Sequence, residues 1–198
     1  ITDAPGVKSR FFRNKVTWRE GDIYDSRLVE KTQSKLINSE LFSSVIVRYK
    51  GQIDADVSLP MQIDTSEAKH RTINMGLSYQ TVFGPGITFG WENRNISRMG
   101  RRLSLQGDLT HMIQTGIAKY WHPDFYKIDQ DFISQAEAQR DSLYAYSSRS
   151  YNGQARIERK FNEQKNSKSI YFTVVLEKDY LNDINLINKS NYSKAYIN

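Results

Sequence analysis

The stretch Thr72-Ile73-Asn74-Met75-Gly76-Leu77-Ser78-Tyr79-Gln80-Thr81 decides the fold. Ile73, Met75, Leu77 and Tyr79 fall on alternate positions, with Asn74, Gly76, Ser78 and Gln80 between them. A period of two gives a strand with one apolar and one polar face. The pattern continues outward: Ile87, Phe89 and Trp91 alternate with Thr88, Gly90 and Glu92, and Leu103, Leu105 and Leu109 with Ser104, Gln106, Asp108 and Thr110. Turn formers separate the runs, at Phe83-Gly84-Pro85-Gly86 and from Asn95 to Gly100. Later runs over residues 113–122, 132–141, 153–161 and 169–179 bring the expectation to seven strands, each near the roughly 9–11 residues of a tilted membrane strand. Residues 181–198, rich in Asn, read as an extracellular loop leading to an eighth strand.

Composition narrows the classes. The chain has 198 residues, 28 Lys+Arg against 22 Asp+Glu, and a formal net charge of +6. Its mean hydropathy is −0.64, and no window approaches the roughly 18 consecutive apolar residues of a spanning helix. A helical membrane protein is excluded. A transmembrane β-barrel is not, because alternating lipid-facing and lumen-facing residues average to a polar score. Periodicity alone leaves a soluble sandwich open beside the barrel. Tyr79, Phe83, Trp91, Tyr120, Trp121, Tyr126, Tyr144, Tyr146, Tyr151, Phe161 and Tyr180 stand near strand ends, where interfacial girdles fall. There is no Cys, hence no disulfide, thiolate metal site or Cys nucleophile. Ile1 to Gly6 lacks the pattern of a signal peptide, so the expectation is a cytosolic chain or a mature or internal fragment.

Residues 1–68 differ, reading as mixed α and β. Asp25 is a good N-cap for an amphipathic helix over residues 26–41, which places Leu28, Thr32, Leu36, Ile37 and Leu41 on one side. A strand follows at 42–49, and another at 55–63 with alternating Val57, Leu59, Met61 and Ile63. Pro60 marks that second strand as an edge or a bulge. A short helix is expected over residues 10–18.

A family resemblance joins these parts. Gly21-Asp22-Ile23-Tyr24-Asp25-Ser26-Arg27-Leu28-Val29-Glu30, then residues 36–42 followed by Ser43-Ser44-Val45-Ile46-Val47, resembles the helix and strand of a polypeptide-transport-associated (POTRA) domain. Four further stretches resemble the junction and first four barrel strands of the bacterial surface antigen family, the outer-membrane assembly-factor superfamily, nearest to its TamA-like branch. They are residues 67–79, Gly84 to Asn95, Gly100-Arg101-Arg102-Leu103-Ser104-Leu105, and His122-Pro123-Asp124-Phe125. Residues 151–161 are similar to its sixth strand. The resemblance implies a partial POTRA domain (α+β) over 1–68, followed over 69–198 by the N-terminal part of an antiparallel transmembrane β-barrel. The family barrel has sixteen strands, about half of which fit here at roughly 15 residues per strand and turn. The expectation is therefore a fragment, its POTRA domain cut as well.

The implied role is an outer-membrane assembly or translocation factor, placed in the bacterial outer membrane with the N-terminal domain in the periplasm. Its partners would be outer-membrane lipid, unfolded outer-membrane or autotransporter clients and a periplasmic or inner-membrane subunit, with no nucleic acid and no cofactor. In the family the first barrel strand pairs weakly with the last, and the seam admits substrate strands. Thr72, Ile73, Asn74, Met75, Gly76, Leu77, Ser78, Tyr79, Gln80 and Thr81 match that strand, with Gly76 either loosening it or packing beside a neighbour. Ser44, Val45, Ile46 and Val47 are a second candidate for edge pairing, or else a core strand. Arg98, Arg101 and Arg102 gather at a turn where they would hold POTRA carboxylates or lipid phosphate, or simply face water. A soluble β-rich module for nucleic acid or anionic glycan is the alternative class. Enzyme readings lack support: His70, His111 and His122 have no second ligand at metal spacing, and no nucleophile elbow or phosphate loop occurs.

Overall fold

The computed structural model describes residues 4–50, 59–144, 146–163, 166–183 and 189–197. The chain divides into two compact units: residues Ile1–His70 with Arg94–Arg101, and Arg71–Asn93 with Arg102–Asn198.

The first unit contains helices α1 (Ser9–Lys15) and α2 (Ser26–Ile37) and strands β1 (Phe42–Tyr49) and β2 (Met61–Glu67). Its core is Val7, Phe11, Phe12, Leu36, Leu41, Phe42, Val45 and Ile63, all buried. Removing each large side chain from water contributes roughly 1.5–3 kcal/mol. Phe11 meets Phe12 edge-on at 6.0 Å between ring centres, and Phe42 tilts against Phe12 at 5.4 Å. Thr32, fully buried on α2, is satisfied by the Thr17 backbone N–H at 3.1 Å, while the Thr17 hydroxyl donates to the Leu28 carbonyl at 2.7 Å. Asp25 caps α2 by accepting from the Arg27 backbone N–H and from its guanidinium at 3.1 and 3.0 Å. Those side-chain bonds, then the backbone bond, hold the Asp25 carboxyl below its ordinary pKa.

Three boundaries differ from the expectations. Helix α2 ends at Ile37, not at 41, because Ser39 Oγ donates to the Leu36 carbonyl at 2.6 Å and Glu40 takes a left-handed φ of 59°. Leu41 therefore enters the core from a turn. Helix α1 stops at Lys15, where β-branched Val16 is extended. Among the described residues strand β2 begins at Met61, after Pro60, inside the run expected from 55. Pro60 has no N–H for a ladder, and its carbonyl instead accepts from Lys50 N–H at 2.7 Å, just outside the first pair, Tyr49↔Met61. Residues 55–58 lie outside the described residues.

The second unit is one antiparallel sheet of eight strands in the order β10-β9-β8-β7-β6-β5-β4-β3. They are β3 (Arg71–Gln80), β4 (Gly84–Ile96), β5 (Arg101–Thr110), β6 (Ile113–His122), β7 (Gln130–Ser142), β8 (Tyr146–Glu163), β9 (Asn166–Asp183) and β10 (Lys189–Ile197). Strands β3 to β9 overlap the seven expected runs, and the expected eighth strand is β10, which lies inside the segment read as the loop before it. Most of the segment expected as a loop is strand, because β9 runs on to Asp183 and β10 pairs with it from Lys189↔Asn182 to Ile197↔Val174. Among the described residues the sheet is open: β3 and β10 are its two edges.

Register assigns the two faces. Ile73↔Trp91, Met75↔Phe89 and Leu77↔Ile87 share one side, and Leu103↔Tyr120, Leu105↔Ala118, Ala118↔Ala136 and Ala136↔Gly153 continue it. The other side carries polar groups. There Arg102 Nε lies 3.3 Å from Glu92 Oε1, close enough to pair though not aligned as a hydrogen bond, and its guanidinium stacks 5.2 Å over Trp121. Ser148 Oγ donates to Asp141 at 3.1 Å, and Arg156 meets Glu158 at 3.2 Å. Ile117, Ile133 and Val175 interrupt this polarity.

Candidate functional site

Among the described residues strand β3 pairs along one side only, with β4. In an antiparallel pair alternate residues turn N–H and C=O away from the partner, so an edge strand offers a row of groups able to receive another strand. The β3 side chains add to that. Ile73, Met75, Leu77 and Tyr79 are 65, 77, 86 and 78% exposed, a continuous apolar row beside the open backbone. A Cβ on Gly76 would lie 2.6 Å from Thr88 Oγ1, so this glycine makes room for the hydroxyl opposite it. That is a packing role at the site where loosening of the strand was also expected. Thr81 falls in the turn after β3.

The other expected residues are placed differently. Phe42 and Val45 anchor β1 in the core, and Ser44, Val45, Ile46 and Val47 pair with β2. Among the described residues this sheet has two strands, and Gln33 Nε2 donates to the Val45 carbonyl at 2.9 Å. Arg98, Arg101 and Arg102 do not form one anion site. Arg101 and Arg102 are adjacent on β5 and therefore point to opposite faces. The Arg98 side chain is exposed while its carbonyl accepts from Lys8 N–H at 2.9 Å. The carboxylate contact expected of that cluster is made by Arg94, whose Nε lies 3.4 Å from Glu40.

Around Arg94 the first unit builds a junction that sequence reading missed. Asn95 Nδ2 donates to the Gly6 carbonyl at 2.9 Å and lies 3.3 Å from His70 Nδ1, while Asn95 Oδ1 accepts from Gly100 N–H at 3.2 Å. His70 Nε2 lies 3.2 Å from the Leu41 carbonyl, and Gly6 N–H donates to Glu67 at 2.7 Å. Gly100 closes the turn at φ 70°, with space for a Cβ denied by Phe11 Cε2 at 2.8 Å. Asn95 was legible only as a turn former; its partners lie far away in the chain.

Two further features belong to the apolar face of the eight-stranded sheet. Small residues at Gly116, Ala118, Ala136 and Gly153 leave a depression of about 930 Å³, walled by Leu105, Tyr151 and Leu176. The charged residues on this face, among strand side chains the structure describes, are Arg71, Arg101, Arg140, Arg149, Arg159 and Lys178, every one a cation. No cluster of three or more His, Cys, Asp or Glu able to hold a metal occurs among the described residues.

No family model matches the chain. BamA from Haemophilus ducreyi lacking POTRA domains 1–3 superposes on 96% of the chain with a TM-score of 0.73 at 16% identity, and CdiB from Acinetobacter baumannii on all of it with a TM-score of 0.66 at 14% identity. The chain spans 40% and 41% of those two structures. At such identity the likeness is one of fold: the open eight-stranded sheet is built as part of these larger structures is built.

Proposed function

We propose that this chain is part of an outer-membrane protein assembly or transport factor, of the TamA-like branch, in which β3 is the seam strand that receives client strands. The observation that carries the reading is the β3 edge: a strand with no further strand beside it among the described residues, carrying four highly exposed apolar side chains. In water such an edge drives aggregation. In a bilayer the same residues are at home, and strand addition satisfies the backbone groups that lipid cannot.

In this reading the apolar face meets lipid, the face bearing Glu92, Arg102, Asp141 and Arg156 lines the interior, and the first unit is a POTRA domain in the periplasm. The work is non-covalent. A client strand exchanges unpaired N–H and C=O groups for a ladder along β3, without a cofactor or a reacting side chain. Clients are unfolded outer-membrane proteins or autotransporters, and a periplasmic or inner-membrane subunit docks on the first unit.

This chain has no native Cys, and any Cys elsewhere in the full-length protein is first replaced by Ser. In the full-length protein, one cysteine placed at Ser78 and one on the strand that closes the barrel should form a crosslink that stops client insertion, with reduction restoring it. Unchanged insertion with the crosslink formed overturns the seam. A full-length protein that stays in solution without detergent overturns the membrane reading.

A further inference from the structure

Arg140 on β7 and Arg149 on β8 stand directly opposite each other in register on the apolar face, both exposed. Like charges placed directly across a strand pair repel. Neither guanidinium has an ion-pair partner among the described residues. The nearest carboxylate in sequence, Asp141, turns to the other face and is engaged by Ser148 and Gln139. A third cation lies beside them: Lys178 pairs with Tyr151 in register and rests its ammonium 4.9 Å from the Tyr180 ring centre, Tyr180 being the residue opposite Arg149.

The same place carries the apolar depression. Tyr151 and Lys178 line it, so the cationic group and the cavity are continuous. Its volume, about 930 Å³, lies within the roughly 300–1,000 Å³ of small-ligand sites. A cationic head above, an aromatic step and an apolar trough below are the complement of one kind of molecule. Strand direction places it: the chain enters β3 at Arg71, and Arg140 and Arg149 lie toward the opposite strand ends.

We propose that Arg140, Arg149 and Lys178 bind the phosphate of a phosphorylated membrane lipid in the leaflet remote from the start of β3, with an acyl chain in the depression. This rests on the membrane reading above. A phosphate between two opposed guanidiniums turns their repulsion into charge-assisted, bidentate hydrogen bonds. Small residues at Ala136 and Gly153 let the chain approach the sheet backbone, a contact that larger side chains would fill.

The test uses the full-length protein in phosphatidylcholine nanodiscs doped with bis-phosphorylated lipid A or its dephosphorylated form, with retained lipid read by native mass spectrometry. The wild type should retain the phosphorylated form at least about tenfold over the dephosphorylated one. The R140Q/R149Q double variant should lose that preference, Ala136→Trp should lower retention with both arginines present, and Lys119→Gln, on the other face, should retain it. Equal retention of the two lipid forms, or an undiminished preference in R140Q/R149Q, overturns the proposal. A protein that sits in membranes and inserts clients but shows no preference loses this inference alone. One that is soluble without detergent loses the membrane reading and this inference with it.

Discussion

Asn95 donates from Nδ2 to the carbonyl of Gly6 at 2.9 Å, across 89 positions of sequence. One amide thus ties the N-terminal segment to the turn that follows β4, and its other atom closes that turn on Gly100. The consequence is a turn whose shape depends on a residue outside it.

Replacing Asn95 by Ala removes these bonds and leaves the Gly6 carbonyl and Gly100 N–H to find water. The expected cost is about 1–3 kcal/mol. Limited proteolysis of the full-length protein should show earlier cleavage within the first unit, and a wild-type cleavage rate would refute the assignment.

Gly100→Ala should cost more than Gly21→Ala. Both glycines have positive φ, 70° and 89°, and each substitution pays roughly 1–2 kcal/mol for a left-handed alanine. Only at Gly100 does the new methyl meet the Phe11 ring; nothing lies within 4 Å at Gly21. Overpacking adds about 1–3 kcal/mol. Urea midpoints for the first unit, followed by protease sensitivity, should fall in that order, and equal shifts would contradict it.

Asp25 predicts a pH effect. Its folded carboxyl is held below the ordinary value by Arg27, so it contributes stability above the unfolded pKa, and this is lost as the pH falls through the folded pKa. Asp25→Asn keeps an acceptor for the Arg27 backbone N–H but not the charge. It should flatten the acid side of the stability profile, while Asp25→Ala should also weaken α2 at neutral pH. An unaltered profile in Asp25→Asn would show that the charge is not involved.

The two faces predict opposite responses to the same charge. On the proposed membrane reading, Leu105→Arg would put a guanidinium among lipid chains and should destabilise the sheet by about 2–4 kcal/mol near the bilayer centre. Gln106→Arg, one residue on, faces the polar side and should cost little. Unfolding of the full-length protein from bilayers in urea measures both, and equal losses would sink the face assignment.

Strand periodicity was legible because it is imposed residue by residue: the expected strand at 113–122 coincides with β6, Ile113–His122. Boundaries were less so. Val57, Leu59, Met61 and Ile63 alternate across Pro60 without a break, and only the pairing of Tyr49 with Met61 marks where the ladder starts. Leu41 fits helical spacing, yet it is delivered to the core by a turn that Ser39 and Glu40 set. The arginine cluster failed for a geometric reason, since neighbours such as Arg101 and Arg102 leave a strand on opposite sides. Conversely Arg140 and Arg149, nine positions apart, meet because a hairpin folds between them, and nothing local in the sequence announces that.

The strand order has a kinetic meaning. From β3 to β10 every strand pairs only with its neighbours in the chain, so closing each hairpin spans little sequence and costs little loop entropy. The sheet can therefore grow by zippering from one end, each completed hairpin leaving a fresh edge for the next. A foreign strand laid on β3 repeats that elementary step on the other side, so the proposed catalyst would assemble its clients by the route along which its own sheet forms.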